Sequence, residues 1–237
     1  MSVKPEKKLP ALAKRAAERY IELTGLRATV QLIPYIGGSL DTLLAGEGAK
    51  IQQKRVEHLL AELNRRLRLL QPPSSPVPEE ELLDLMLGVF ERAIKTRSEQ
   101  KRSHFAQIVA KQIVTGGGVT QAEVALRLVG ELDDLHIKIL KTALLAPIIP
   151  NFFDGRRVIT LAAKPATTPG GKTSLQLAHV FPDVPVTTLR LACSELVSRG
   201  LFQDEGIGRW DLGVMEYFVP TDLGAWLYGW IKSSEQE

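Results

Sequence analysis

Val56, Leu59, Leu60, Leu63, Leu67 and Leu70 recur at spacings of three and four, so they fall within one arc of a 3.6-residue wheel. Lys54, Arg55, Arg65, Arg66 and Arg68 are assigned to the opposite arc. A chain patterned this way has to cover its apolar stripe with other helices, and that demand constrains the fold more than any motif does. The same grammar holds as far as Gly130. A first helix is expected from about Pro10 to Thr24, ended by Gly25, and a second is capped by Ser39 and runs to about Gln71. "QPPSSPVP" is a stiff linker, and Pro78 followed by three glutamates opens a helix whose acids face its positive dipole end. The helical pattern continues from Glu79 to Thr115, broken at "KTRSEQKR", where Thr96 and Glu99 are expected to form a capping box. "GGG" at 116–118 ends it, and Thr120 with Glu123 starts the next helix.

After Gly130 the pattern changes. "LDDLHIKILKTALLA" reads as a helix with Leu132, Leu135, Ile139 and Leu140 inward. An irregular insertion follows from Pro147 to Gly171, holding the strand-like "RVITL". "TSLQLAHVF" reads as a short helix, "PDVP" as a turn and "VTTLRLACSELVSRG" as a longer helix. "LFQDEGIGRWDLGVMEYFVPT" reads as a hairpin around Gly206 and Gly208, and "TDLGAWLYGWI" closes with an aromatic helix. This order of helices and hairpin is that of a winged helix-turn-helix domain.

Composition sets the class. Hydrophobic residues make up 44% and charged residues 24% of 237, which is ordinary for a globular chain with a real core. The one cysteine, Cys193, excludes an internal disulfide and a cysteine-rich zinc site, and a reducing cytoplasm is the natural compartment. The basic opening "MSVKPEKKLPALAKRAAERY" lacks an apolar core of secretory-signal length, and no run of eighteen apolar residues occurs. Charge is unevenly spread. Residues 1–72 hold 13 Lys+Arg against 7 Asp+Glu, residues 73–130 hold 7 against 7, and residues 131–237 hold 10 against 13. Basicity therefore sits in the first third.

"ATTPGGKT", from Ala166 to Thr173, matches a loose phosphate-loop pattern with alanine in place of its first glycine. Such a loop needs several parallel strands joined by crossover helices, and the residues after Thr173 read as helix-turn-helix and hairpin. The match is a decoy, a surface loop after which Thr173 or Ser174 is expected to cap the short helix. His58, His104, His136 and His179 have no partner at metal-ligand spacing, and Cys193 has no histidine near it in sequence. Asp133 and Asp134 suit a helix start better than acid–base work. No nucleophile, base and oxyanion donor assemble, so no enzyme, cofactor, metal or small-molecule substrate is expected.

In a DNA-binding winged unit the longer helix would offer Thr187, Thr188, Arg190, Ser194 and Arg199 to a duplex. The hairpin argues against it, since Asp204, Glu205, Asp211 and Glu216 face only Arg209 and phosphate contacts need cations. The basic first third supplies the other surface. Arg55, Arg65, Arg66 and Arg68 are candidates for an anionic partner, and the Ile33 to Leu44 stretch is a candidate for apolar contact, as core or at a membrane surface.

"IPYIGGSL", the basic amphipathic helix, "RSEQKRSHFAQIVA" and "LVGELDDLHIKILK", in that order, resemble a group of bacterial proteins related to the abortive-infection alpha type. "ELVSRGLF" and "TDLGAWLYGWI" are similar to the winged-helix tail of some of them. The resemblance implies a helical region followed by a winged helix, associated with defence against phage, and it carries no active-site residues.

The expectation is a mainly α protein of three regions: 1–72, a basic helical region with long amphipathic helices; 73–130, a further helical region; and 131–237, a winged helix-turn-helix domain. The expected function is a non-enzymatic, cytoplasmic regulator or effector of phage defence. It would work through a protein partner, a homo-oligomer or an anionic surface, with peripheral membrane contact among the options. The alternative is a transcriptional regulator that reads DNA through Thr187, Thr188, Arg190 and Arg199.

Overall fold

A computed structural model describes residues 49–68, 77–149, 155–163, 173–207 and 212–232. The chain is mainly helical, with one small sheet in its C-terminal part. By compactness the described residues fall into two units, divided between Glu131 and Leu132, with residues from Trp230 onward grouped with the first.

The first unit contains α1 (Ala49–Leu67), α2 (Glu79–Lys95), α3 (Glu99–Thr115) and α4 (Thr120–Glu131). On α1 the buried residues are Val56, Leu59, Leu63 and Leu67 of the expected stripe, together with Arg66; Leu60 is half-buried and Leu70 lies outside the described residues. On α2 they are Leu82, Leu85, Met86, Val89, Phe90, Ala93 and Ile94, again at spacings of three and four. α3 is the central helix, because every residue from Phe105 to Ala110 is buried whichever way it points. Each large apolar side chain enclosed this way contributes about 1.5–3 kcal/mol of transfer free energy. Glu62 pairs with Ser103 and Arg66 with Gln107, the same offset of 41 residues in both cases, so α1 and α3 run in the same direction.

The turns carry local chemistry. Pro78 precedes α2 with φ −54°, a value its ring imposes, and its carbonyl accepts from Leu82 N. The cap of α3 is Ser98 rather than the expected Thr96: Ser98 Oγ accepts from Lys101 N at 3.0 Å. Ser98 stands immediately before the first helical residue, the position from which a short hydroxyl reaches an orphan N–H of the first turn. α3 ends at Gly116, whose φ of 70° is open to glycine at little cost. There the buried Gln112 donates through Nε2 to the carbonyls of Gly116, Gly117 and Gly118. Glu81 Oε2 accepts from Val119 N at 3.0 Å just before α4.

The second unit contains α5 (Asp134–Leu145), β1 (Ile159–Thr160), β2 (Leu175–Gln176), α6 (Leu177–Val180), α7 (Val186–Ser198), β3 (Phe202–Asp204), β4 (Tyr217–Pro220) and most of α8 (Asp222–Ile231). The sheet order is β2-β1-β4-β3, with β1 parallel to β2 and antiparallel to β4, and β3 antiparallel to β4. Phe202 lies opposite Pro220 and Asp204 opposite Phe218. Ile149, Val158, Ala162, Tyr217 and Val219 form a buried cluster around the sheet. Leu132, Ile139 and Leu140 are buried, as their spacing requires, and Leu135 is half-buried.

The expected short helix over 173–181 is reduced to one turn, Leu177–Val180, because Leu175 and Gln176 are extended as β2. Neither Thr173 nor Ser174 caps it. The residue ahead of it is Gln176, whose side chain donates instead to the carbonyls of Ala162 and Ala163. Residues 166–172 of the phosphate-loop match lie outside the described residues. The strands on either side of that loop belong to a four-stranded, largely antiparallel sheet of very short strands.

Candidate contact surfaces

α7 is two-faced. Leu189, Ala192, Cys193 and Leu196 are buried, the i, i+3, i+4 and i+7 positions of one stripe. Thr187, Thr188, Arg190, Leu191 and Ser194 are exposed on the rest of its surface. Leu191 is 60% exposed and Val186 43%, both high for large apolar side chains. Arg199, at the helix end, is tied back: its Nη1 donates to the Glu195 carbonyl at 3.3 Å and lies 3.9 Å from Glu195 Oε2. Of the residues expected to read DNA, Thr187, Thr188 and Arg190 share the exposed surface and Arg199 is engaged within its own helix.

Glu195 also meets α5. His136 Nδ1 accepts from Asp133 N at 3.0 Å, which leaves the ring proton on Nε2, 2.9 Å from Glu195 Oε2. This buried histidine closes the start of α5 and links it to α7. Asp133 thus serves the helix start, the role its position gives it. Cys193 is fully enclosed, and burial pushes its thiol up to about 12, which removes the thiolate needed for nucleophilic work.

The hairpin differs from its expected acidic surface. Asp204 is buried, its two carboxylate oxygens accepting from Gly206 N at 2.9 Å and Met215 N at 2.8 Å. Glu205 is buried and lies 2.8 Å from Arg156 Nη2. Asp204 holds the turn and Glu205 pairs with Arg156 from a distant segment, and both are buried. Composition counts charges but does not say which of them water sees. Glu216 is half-buried, Asp211 and Arg209 lie outside the described residues, and among the described residues of the hairpin the large apolar Ile207 and Val214 are exposed.

The four arginines expected to bind an anionic partner do not share one surface. Arg65 and Arg68 are exposed, with Arg65 Nη2 3.4 Å from Glu62 and Arg68 Nε donating to Asn64. Arg66 is buried. It pairs with Glu62, donates through Nε to Gln107 Oε1 at 2.8 Å and through Nη2 to Ser103 Oγ at 2.7 Å. The reason is on the wheel: Arg66 follows Leu59 by seven residues and Leu63 by three, which puts it on the flank of the apolar stripe, about 20° from Leu59. Arg55, four residues before Leu59, lies on the same flank and its Nη1 donates to the Ile94 carbonyl. The candidate cation face therefore narrows to Lys50, Lys54, Arg65 and Arg68. The Ile33 to Leu44 stretch lies outside the described residues.

The chain matches no protein-family model, and comparison with curated proteins and with solved structures returns no match. The candidate surfaces therefore stand on their own geometry. Among the described residues no group of three His, Cys, Asp or Glu is placed to hold a metal ion. Among the same residues no helix is long and apolar enough to cross a membrane.

Two surfaces escaped the sequence reading. The apolar content of the α7 face was legible, since Leu191 falls outside the stripe of Leu189, Ala192, Cys193 and Leu196. The second is the elbow between α2 and α3. There Arg102, only 4% exposed, donates through Nη1 to the carbonyls of Thr96 and Arg97 at 2.8 and 3.0 Å, and its Nη2 lies 3.6 Å from Glu99. Burial lowers the pKa of the Arg102 guanidinium, Glu99 opposing that fall and Arg55 adding to it. No sequence spacing announces a contact between α1 and an elbow 40 residues later.

Proposed function

We propose that residues 132–229 form a winged helix-turn-helix unit that docks a protein partner through the exposed face of α7, and that the protein is a non-enzymatic regulator or effector. What supports the winged reading is the order α5, β1, β2, α6, α7 and hairpin β3–β4, with β1 joined to β4 as well as to β2. What supports docking is the make-up of that face: Val186, Thr187, Thr188, Leu191 and Ser194 with Arg190 as its one cation, and Leu191 60% exposed. Interface centres are depleted in charge and gain from buried apolar anchors, whereas duplex binding draws its affinity from neutralised phosphates. The resemblance to abortive-infection proteins gives such an effector a place in phage defence.

The test compares the protein with its Leu191→Asp variant. Sedimentation velocity and cross-linking in host cells, with and without phage, should give a discrete complex or homo-oligomer that the variant loses while keeping its circular dichroism. Plaquing efficiency on cells carrying either form then tests the defence role. An unchanged set of complexes in Leu191→Asp would end the docking reading.

One observation favours a second reading, a DNA-binding regulator. With Asp204 and Glu205 buried, those two acids no longer place charge against a duplex backbone. That reading expects duplex affinity that falls steeply with salt, and a shallower slope in Arg190→Ala.

A further inference from the structure

The elbow between α2 and α3 gathers positive groups and leaves two of their polar atoms unused. Arg102 is 4% exposed, and its guanidinium reaches back across the start of α3 to the carbonyls of Thr96 and Arg97. Its Nε is buried and has no hydrogen-bond partner. Arg55 reaches the same elbow from α1, through the Ile94 carbonyl. Continued back by one turn, the offset of 41 residues that relates α1 to α3 sets His58 level with Glu99, the first residue of α3. His58 Nδ1 is likewise buried without a partner. Lys95 and Arg97 are exposed on either side of Thr96.

These groups lie around the N-terminal end of a 17-residue helix, where Ser98 Oγ takes the Lys101 N–H, the N–H groups of Glu99 and Gln100 have no partner within the helix, and the dipole is positive. A buried donor left unsatisfied is costly, and two guanidiniums held at one elbow repel each other. The acid available there is Glu99, whose side chain is 77% exposed and 3.6 Å from Arg102, a distance too long for a good hydrogen bond. A tetrahedral oxyanion would supply what is missing: several acceptors for the Arg102 Nε, the His58 ring and the Glu99 and Gln100 amides, and charge to offset Arg55 and Arg102.

We propose that the α2–α3 elbow is a binding site for a phosphate-class oxyanion, held by Arg55, His58, Arg102 and the first turn of α3, with Glu99 as the internal group the ligand displaces. The site lies in the first unit and does not depend on the winged reading of the second. The shared chemistry is a phosphoryl group, free or on a lipid headgroup.

The test is an amide-resolved NMR titration of the full chain with inorganic phosphate, against chloride at matched ionic strength. Saturable shifts at residues 98–102 with phosphate alone are expected. Arg55→Gln should weaken that binding about tenfold or more, the scale of one lost charge-assisted hydrogen bond. Glu99→Gln, at an exposed site that leaves the fold intact, should instead strengthen it severalfold by removing the competing carboxylate. A second arm sediments phosphatidylcholine vesicles with and without phosphatidic acid; binding there that Arg55→Gln abolishes, without saturation by free phosphate, identifies a lipid headgroup as the source. No saturation in either arm, or Glu99→Gln binding no tighter than the parent, overturns the site.

Discussion

Arg66 Nε on α1 donates to Gln107 Oε1 on α3 at 2.8 Å, across 41 residues of sequence and out of reach of solvent. The same guanidinium reaches Ser103 and Glu62, so one cation from the basic first third is committed to the packing of the first unit. Replacing Arg66 with methionine keeps much of the apolar stem but leaves Gln107 Oε1 without this donor and takes from Glu62 the charge it pairs with. Stability should fall by about 2–4 kcal/mol, the range for orphaning buried partners of a charge. Arg68→Ala, on the solvent side of the same turn, should stay within about 0.5 kcal/mol. Urea denaturation of both variants checks the contrast, and equal losses would remove Arg66 from the core.

Acid should expose the same network. Burial by itself would raise the Glu62 carboxyl, but hydrogen bonds from Arg66, Arg65 and Ser103 and the Arg66 charge hold it down to about 2, against an ordinary 4.5. A depressed folded-state pKa stabilises the protein above the unfolded value, and that stability drains away as pH falls. The Glu62 contribution is therefore whole above about pH 4.5 and lost on the way down to about 2. Denaturation midpoints measured from pH 7 to pH 2.5 should drop more steeply in the parent than in Glu62→Gln. Parallel curves would show that Glu62 is not held by these partners.

Two glycines of α8 should respond to alanine with opposite signs. A Cβ on Gly224 would stand 2.5 Å from the Leu201 carbonyl oxygen, which is backbone and has no rotamer to yield. A Cβ on Gly229 meets nothing within 4 Å. Gly224→Ala should cost about 1–3 kcal/mol through overpacking. Gly229→Ala should gain about 0.5–1 kcal/mol by removing a flexible residue from a helix interior. Thermal melts of the two single variants decide it.

Cys193 should behave as a buried marker of unfolding. With its thiol pushed up to about 12 by burial, it should resist a disulfide reagent at pH 8 in the native protein and react in denaturant. Rapid native-state labelling would mean that α7 does not pack as described.

Much of the helical architecture could be read from spacing alone. The stripe of Val56, Leu59, Leu63 and Leu67 is buried as its period demands, and the residues around Pro78, "GGG" and Asp133 bound their helices through local chemistry. The candidate surfaces were less legible. Leu191 could be placed outside its stripe from sequence, but the burial of Asp204 and Glu205 could not, because it depends on amides at Gly206 and Met215 and on Arg156 from a distant segment.

Sequence by itself determined where the chain turns helical and which residues line each helix, because periodicity, caps and breakers act within a few residues. Tertiary structure alone decided which charges are surface and which are structure. Arg66, Arg102, Asp204 and Glu205 all look solvated in a linear reading, yet each is enclosed by partners that only folding brings within hydrogen-bond reach. The physical reason is that a charge leaves water only when specific groups replace its hydration, and all four take at least one of those groups from 6 to 49 residues away.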